Sequence, residues 1–228
     1  DKIIAFSKKL NIYENPEELM SISLGSAETT LLKITTAYCS FVNGGKLVEP
    51  IIVDRIQDSE GNTIFKNEKR ICDNCDKISF NGANIPKIKN NFDQIFSPQT
   101  AYQMTSILEG VIKRGTAKKL KNLNLQIAGK TGTTNKNTDA WFIGFTSNLV
   151  IGVYVGHDQP RSLGKIETGS KAAMPIFKDF VEKAVNNYEA RPFKVSKGIK
   201  MMVVDSVTGK KADFGSKKTI IESFKKEK

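Results

Sequence analysis

The sequence predicts an α/β fold of the α+β type, with helices set against an antiparallel sheet. Two observations carry this. Three runs between 123 and 156 (LNLQI, DAWFIGF and VIGVYVG) have the alternation and the β-branched or aromatic content of strands. The connection near 146–150 is too short for the crossover that parallel strands require. Around these runs, four stretches space apolar residues for one face of a helix.

Taken in order, DKIIAFSKKL (1–10) spaces Ile3, Ile4, Phe6 and Leu10 for one helical face. Nothing caps its start and no initiator methionine precedes it, so the chain is expected to be a piece of a longer one. The next helix lies within 24–46, with Leu31, Ile34, Tyr38, Phe41 and Val42 on one side. Ser26 and Thr29 are its candidate caps, and Gly44-Gly45 stops it. EPIIVDRIQD (49–58) alternates as a strand, SEGN turns, and TIFK (63–66) returns as its hairpin partner. Residues 67–96 are polar, rich in Asn and Lys, and read as a surface insertion. Ser97-Pro98 then opens a helix with a cap and a first-turn proline. Ala101, Met104, Ile107, Leu108, Val111 and Ile112 give that helix a broad apolar face, and Gly115 ends it. After the three strands comes a polar loop, GHDQPRSLGKIETG (156–169). A helix over 170–186 follows, with Ala173, Ile176, Phe177, Phe180 and Val181 inward. The tail pairs IKMMVVD (199–205) with KTIIESF (218–224) around the turn SVTG.

Length, charge and cysteines bound the function. The 228 residues suffice for one or two domains with a core, and no stretch has the apolar length of a membrane span. The net charge of +11 comes from scattered lysines in a chain biased towards Lys, Asn and Ile. The basic clusters 113–121 and 225–228 lack the interleaved aromatics that stack on bases, so nucleic acid is not an expected partner. Cys39 reads as a small core residue on the apolar side of a helix. Cys72 and Cys75 form one C-x-x-C, half a zinc site at best, and His157, the single histidine, lies far off. In an oxidising compartment that pair closes a small loop; in a reducing one it is idle.

AGKTGTTN (128–135) is the stretch that bears chemistry. It lacks the long glycine-bearing loop before lysine that a phosphate loop needs. In a strand, Thr131 and Thr133 share one face while Lys130 and Gly132 share the other. Two hydroxyls beside an ammonium suit a carboxylate, and Gly132 lets a ligand backbone approach closely. An edge strand here can add an extended peptide. Trp141 reads as core, His157 as a loop residue, and Asp139 as a cap on the strand turn.

AGKTGTT (128–134), LGSAETTLLKITTAYCSFVNGGKLVEP (24–50), QTAYQMTSILEGVIKRGTA (99–117) and TDAWFIGFTSNLVIGVYVGHD (138–158) together resemble the transpeptidase domain of class A penicillin-binding proteins. The similarity runs in the family's order over nearly the whole chain. It implies the penicillin-recognising serine transpeptidase and β-lactamase-like fold, an antiparallel sheet flanked by helices, truncated at its N-terminus. Residues 1–190 are then the C-terminal portion of that domain, with 67–96 inserted, and 191–228 are a C-terminal extension. The implied activity of the parent is cross-linking of peptidoglycan by serine-based D,D-transpeptidation, with β-lactams as mimics of the D-Ala-D-Ala stem peptide. A glycosyltransferase domain upstream, a membrane anchor and a periplasmic location are implied as well; a metal or cofactor is not. By resemblance, Lys130 is catalytic, Thr131, Gly132 and Thr133 bind substrate, and the Thr133 N–H is one oxyanion donor. The family's nucleophilic Ser-x-x-Lys has no match before this run. The two S-x-x-K matches, Ser162 to Lys165 and Ser223 to Lys226, follow it and receive no role. This chain by itself is therefore expected to be inactive. The rival class is a non-catalytic module that holds peptidoglycan or another anionic partner.

Overall fold

A computed structural model describes residues 2–67, 71–73, 75, 85–89, 92–184 and 191–226. Its elements in chain order are α1 (Lys2–Lys9), α2 (Leu31–Val42), β1 (Arg55–Gln57), β2 (Thr63–Lys66), β3 (Ile71–Asp73), β4 (Lys87–Lys89), α3 (Pro98–Lys113), β5 (Ala128–Thr133), β6 (Asp139–Phe145), β7 (Val150–Gly156), α4 (Met174–Ala184), β8 (Ile199–Asp205) and β9 (Thr219–Lys225). The central sheet is antiparallel, ordered β5-β6-β7, with β5 at one edge.

Helices cover both faces of this sheet, because each face carries apolar side chains that must leave water. On one face Ala140, Phe142 and Val153 pack with Ile112 at the end of α3, with Leu120, and with Met174, Phe177 and Val181 of α4. The Phe177 ring meets Phe142 edge-on, 4.8 Å between centroids. On the other face Ala128 and Phe145 pack with Leu108, Phe193, Tyr38 and Phe41. There α2 lies directly on β7: a Cβ built on Gly152 would run into Thr35 Oγ1 and come within 2.9 Å of Leu31 Cδ1.

Local chemistry explains several element ends. Ser97 caps α3, its Oγ accepting the Thr100 N–H at 3.2 Å, with Pro98 first in the helix. The cap of α2 is Thr30, which accepts the Lys33 N–H, and not Ser26 or Thr29. Those two are committed elsewhere: Thr29 donates to Ile12 O and Ser26 to Ser21 Oγ. Gly44 and Gly45, at φ of 81° and 88°, end the same helix.

Other elements depart from the sequence reading. LNLQI (123–127) is not a strand: Lys118–Leu123 forms a 3₁₀ turn, Asn124 is left-handed at φ 52°, and β5 starts at Ala128. Leu123, Leu125 and Ile127 pack on the core without being in a ladder, which is why the stretch imitates one. Of 49–58 only Arg55–Gln57 pairs, with Thr63–Lys66. Ile107, Ile176 and Phe180 are at least half exposed. The inward stripe of α4 is Phe177 and Val181, which continues Ala173 of the preceding turn at intervals of four residues, and 176 and 180 fall one stripe round. The end of that predicted helix, 185–186, lies outside the described residues, as does much of the predicted insertion. Within the insertion β3 and β4 pair, and Cys72 and Cys75 are disulfide-bonded. Hairpin β8–β9 forms as read and docks on α3, where Gln103 Nε2 donates to Ser223 O. Arg114 of the α3 terminus pairs with Glu222.

Candidate active site

The Lys-Thr-Gly-Thr run occupies β5, the edge strand. Thr131 and Thr133 stand opposite Phe142 and Ala140, and Lys130 and Gly132 opposite Ile143 and Trp141. The strand therefore divides the four residues between its faces as the alternation requires. The ladder fixes the backbone too. Thr134 N–H donates to Asp139 O, so alternate residues, Gly132 and Lys130, turn their peptide groups towards β6. Thr131 and Thr133 then turn theirs away from the sheet. On that outer edge Lys130 Nζ donates to Thr131 O at 2.6 Å.

Each threonine hydroxyl has a partner behind it. Thr131 Oγ1 lies 3.0 Å from Thr116 Oγ1. Thr133 Oγ1 accepts the Gly169 N–H at 3.1 Å. Gly169 opens a π-helical turn, Gly169–Ala173, that leads into α4. A side chain there has no room, since a Cβ on Gly169 would meet Trp141 O and stand 2.5 Å from Gly132 O. Thr168 and Ser170, on either side of it, join hydroxyls at 3.0 Å.

The turn after β5 is fastened by Asp139. Its carboxylate accepts hydrogen bonds from Thr138, Tyr154 and Thr134, at 2.7, 2.7 and 2.9 Å. Burial works against ionisation of Asp139, but those three bonds outweigh it and hold the carboxyl below the ordinary range. The bond to Asp139 is also the main reason that the Tyr154 phenol is pushed up, with burial and nearby negative charge adding to it. Asn137 Nδ2 donates to Gly164 O and Lys165 O, so the following loop is tied to the same turn. Trp141, read as core, is only half-buried; its ring packs at a tilt against Tyr154, 4.7 Å between centroids, and it faces Gly132. His157 lies in the loop after β7. Ser162 Oγ accepts the Gly164 N–H in that loop and Ser223 is buried on β9, so neither stands on the edge strand.

Sequence reasoning missed Thr116 and Gly169. Thr116 sits in the G-T-A between the end of α3 and the 3₁₀ turn, a signal of small residues at a helix end. Among the described residues no cluster of three metal-ligating side chains occurs, and no helix is long and apolar enough to cross a membrane. A cavity of about 660 Å³ lies elsewhere, lined by Ile12, Tyr13, Glu14, Thr30 and Lys33 among others, and none of residues 130–133 reaches it.

An antiparallel sheet with helices on both faces and Lys-Thr-Gly-Thr on its edge strand is the penicillin-recognising α+β architecture. Residues 7–182 match the family described as penicillin binding protein transpeptidase domain. The chain is 42% identical over 98% of its length to penicillin-binding protein 1A of Rickettsia prowazekii, of which it spans 28%. It is 36% identical over 79% of its length to penicillin-binding protein 1A of Neisseria flavescens, of which it spans 21%. Among solved structures, penicillin-binding protein 1A of Haemophilus influenzae superposes with a TM-score of 0.77 at 29% identity, over 94% of this chain and 35% of that one. The chain belongs to the penicillin-binding protein transpeptidase domain family.

Proposed function

We propose that this chain is the carboxylate-recognising part of a serine D,D-transpeptidase that cross-links peptidoglycan and is acylated by β-lactams. One observation carries the reading. The edge strand turns the backbone of Thr131 and Thr133 outward, beside two hydroxyls that can donate to an anion. The C-terminal carboxylate of a D-Ala-D-Ala stem peptide is held by the Thr131 and Thr133 hydroxyls, and Lys130 orients it. Gly132 keeps that part of the strand free of a side chain. The nucleophile is a serine of the complete enzyme, activated by the lysine of its Ser-x-x-Lys. Its Oγ attacks the penultimate D-Ala carbonyl and the C–N bond breaks. The terminal D-Ala leaves with a proton on its amine, and an acceptor amine on another stem then takes the acyl group from the serine.

The Thr133 N–H is one donor to the oxyanion of the tetrahedral intermediate and the nucleophile's own N–H is the other. Losing one such donor costs about 2.7–4 kcal/mol of transition-state stabilisation. The chain alone is accordingly inactive. The complete protein is anchored in the inner membrane with this domain on the periplasmic side, and a glycosyltransferase domain precedes it. That setting suits the Cys72–Cys75 bond, since disulfides persist in oxidising compartments.

Labelling with a fluorescent penicillin followed by a denaturing gel tests the reading. The complete protein carries a covalent label and this chain alone carries none. A labelled chain would place the nucleophile within these residues. A complete protein that binds stem peptide but is never labelled would favour a non-catalytic peptidoglycan-binding module.

A further inference from the structure

We propose that Thr116 is a positioning residue for the carboxylate, acting through Thr131; this rests on the function proposed above. The two hydroxyl oxygens are 3.0 Å apart, so one donates to the other. A hydroxyl has a single proton. If Thr131 donates to Thr116, its proton is spent and its oxygen offers only lone pairs to an incoming anion. If Thr116 donates, the Thr131 proton is free to turn outward. A carboxylate favours the second arrangement, because a hydrogen bond to a charged group is worth more than one between neutral groups. Thr133 shows the same arrangement with no ambiguity. Its oxygen accepts the Gly169 N–H, so its proton is free for a ligand. Each receptor hydroxyl thus takes a hydrogen bond from behind: Thr133 from a backbone N–H, Thr131 from Thr116.

The chain holds Thr116 in place from both sides. A Cβ on Gly115 would stand 2.8 Å from Val111 Cα, so the turn lies flat on the last turn of α3. Ala117 is fully buried and its N–H donates to Val111 O at 3.2 Å. On the α3 side of Thr116, Lys113 pairs with Glu109 and Arg114 with Glu222. The 115–117 turn therefore presents a fixed, neutral donor to Thr131.

The test uses the complete enzyme and two probes, a penicillin and the same penicillin with its carboxylate esterified. Second-order acylation rates are measured for Thr116→Val, Thr116→Ser and Thr131→Val. Thr116→Val is expected to lower the acid-to-ester rate ratio about tenfold, the loss of one hydrogen bond to a group in contact with charge. Thr116→Ser, which keeps the hydroxyl, is expected to restore the ratio. A valine variant that slows acid and ester equally, or a serine variant as impaired as valine, overturns the proposal. If Thr131→Val lowers the ratio and Thr116→Val does not, the strand is the receptor and Thr116 has no part in it. If neither changes the ratio, the carboxylate reading of β5 fails as well.

Discussion

Replacing Gly169 by alanine adds one methyl group where the turn that leads into α4 crosses the end of β5. That methyl would meet Trp141 O, Gly132 O at 2.5 Å and Gly132 N at 3.1 Å. All three atoms are backbone of β5 and β6, which are paired with each other and cannot step aside. The π-helical turn must therefore move off the strand by about 1 Å to restore ordinary contact distances. Its 3.1 Å bond from Gly169 N–H to Thr133 Oγ1 would stretch past the range of a hydrogen bond. Overpacking of this kind costs about 1–3 kcal/mol. For a domain of this size each kcal/mol is worth about 2–4 °C, so the melting temperature of the transpeptidase domain should fall by about 2–12 °C. Acylation by penicillin should fall too, because the displaced turn no longer holds the Thr133 hydroxyl. Thermal melting and acylation rates on the same samples of complete enzyme measure both effects. Gly215→Ala is the control: its new methyl would meet only Asp213 Oδ1, at 3.4 Å, and should leave the melt unmoved. A Gly169→Ala variant that melts and reacts like the parent would refute the close seating of the turn on the strand.

Thr133→Val should lower penicillin acylation about ten- to a hundredfold, through the lost bond to the carboxylate. It should also lower the melting temperature measurably, because the buried Gly169 N–H loses its acceptor. An unchanged rate would remove Thr133 from the site. Asp139→Asn should change the acid side of the stability profile. The Asp139 carboxyl is held below its ordinary value of about 3.9, so its stabilisation is present above that pH and is lost as pH falls through the lower folded value. Melting temperatures from pH 5 downward should therefore fall less steeply in the asparagine variant; identical slopes would show that the three hydroxyls do not favour the ionised form.

What the sequence made legible was what neighbouring residues decide among themselves. Ser97-Pro98 specified the start of α3 because a cap and a first-turn proline act within one turn. Strands β6 and β7 followed from alternation around a short polar turn, and β8 and β9 from alternation alone, because the long segment 206–218 connects them. Leu123, Leu125 and Ile127 alternate equally well, yet form no strand, because the left-handed Asn124 interrupts the chain and the core takes their side chains individually. The faces of β5 were readable, since side-chain direction in a strand depends only on parity. The hydroxyl partners were not. Thr116 lies 15 residues from Thr131, and Gly169 lies 36 from Thr133. Such pairs are made by the meeting of α3, β5 and the π-helical turn, and nothing in the local sequence announces them.

The outward-facing peptide groups of Thr131 and Thr133 are one strand repeat apart, about 6.6 Å. That interval makes β5 a gauge of chain length. A partner strand can pair with both groups only if it is extended and offers its own donor and acceptor two residues apart. A peptide whose terminal carboxylate lies one residue further on would present its amide a half-repeat out of step, about 3.3 Å, and turned to the opposite side. Under the function proposed above, the edge would therefore measure distance from the end of a chain, and the bond set up for cleavage would be defined by counting from that end.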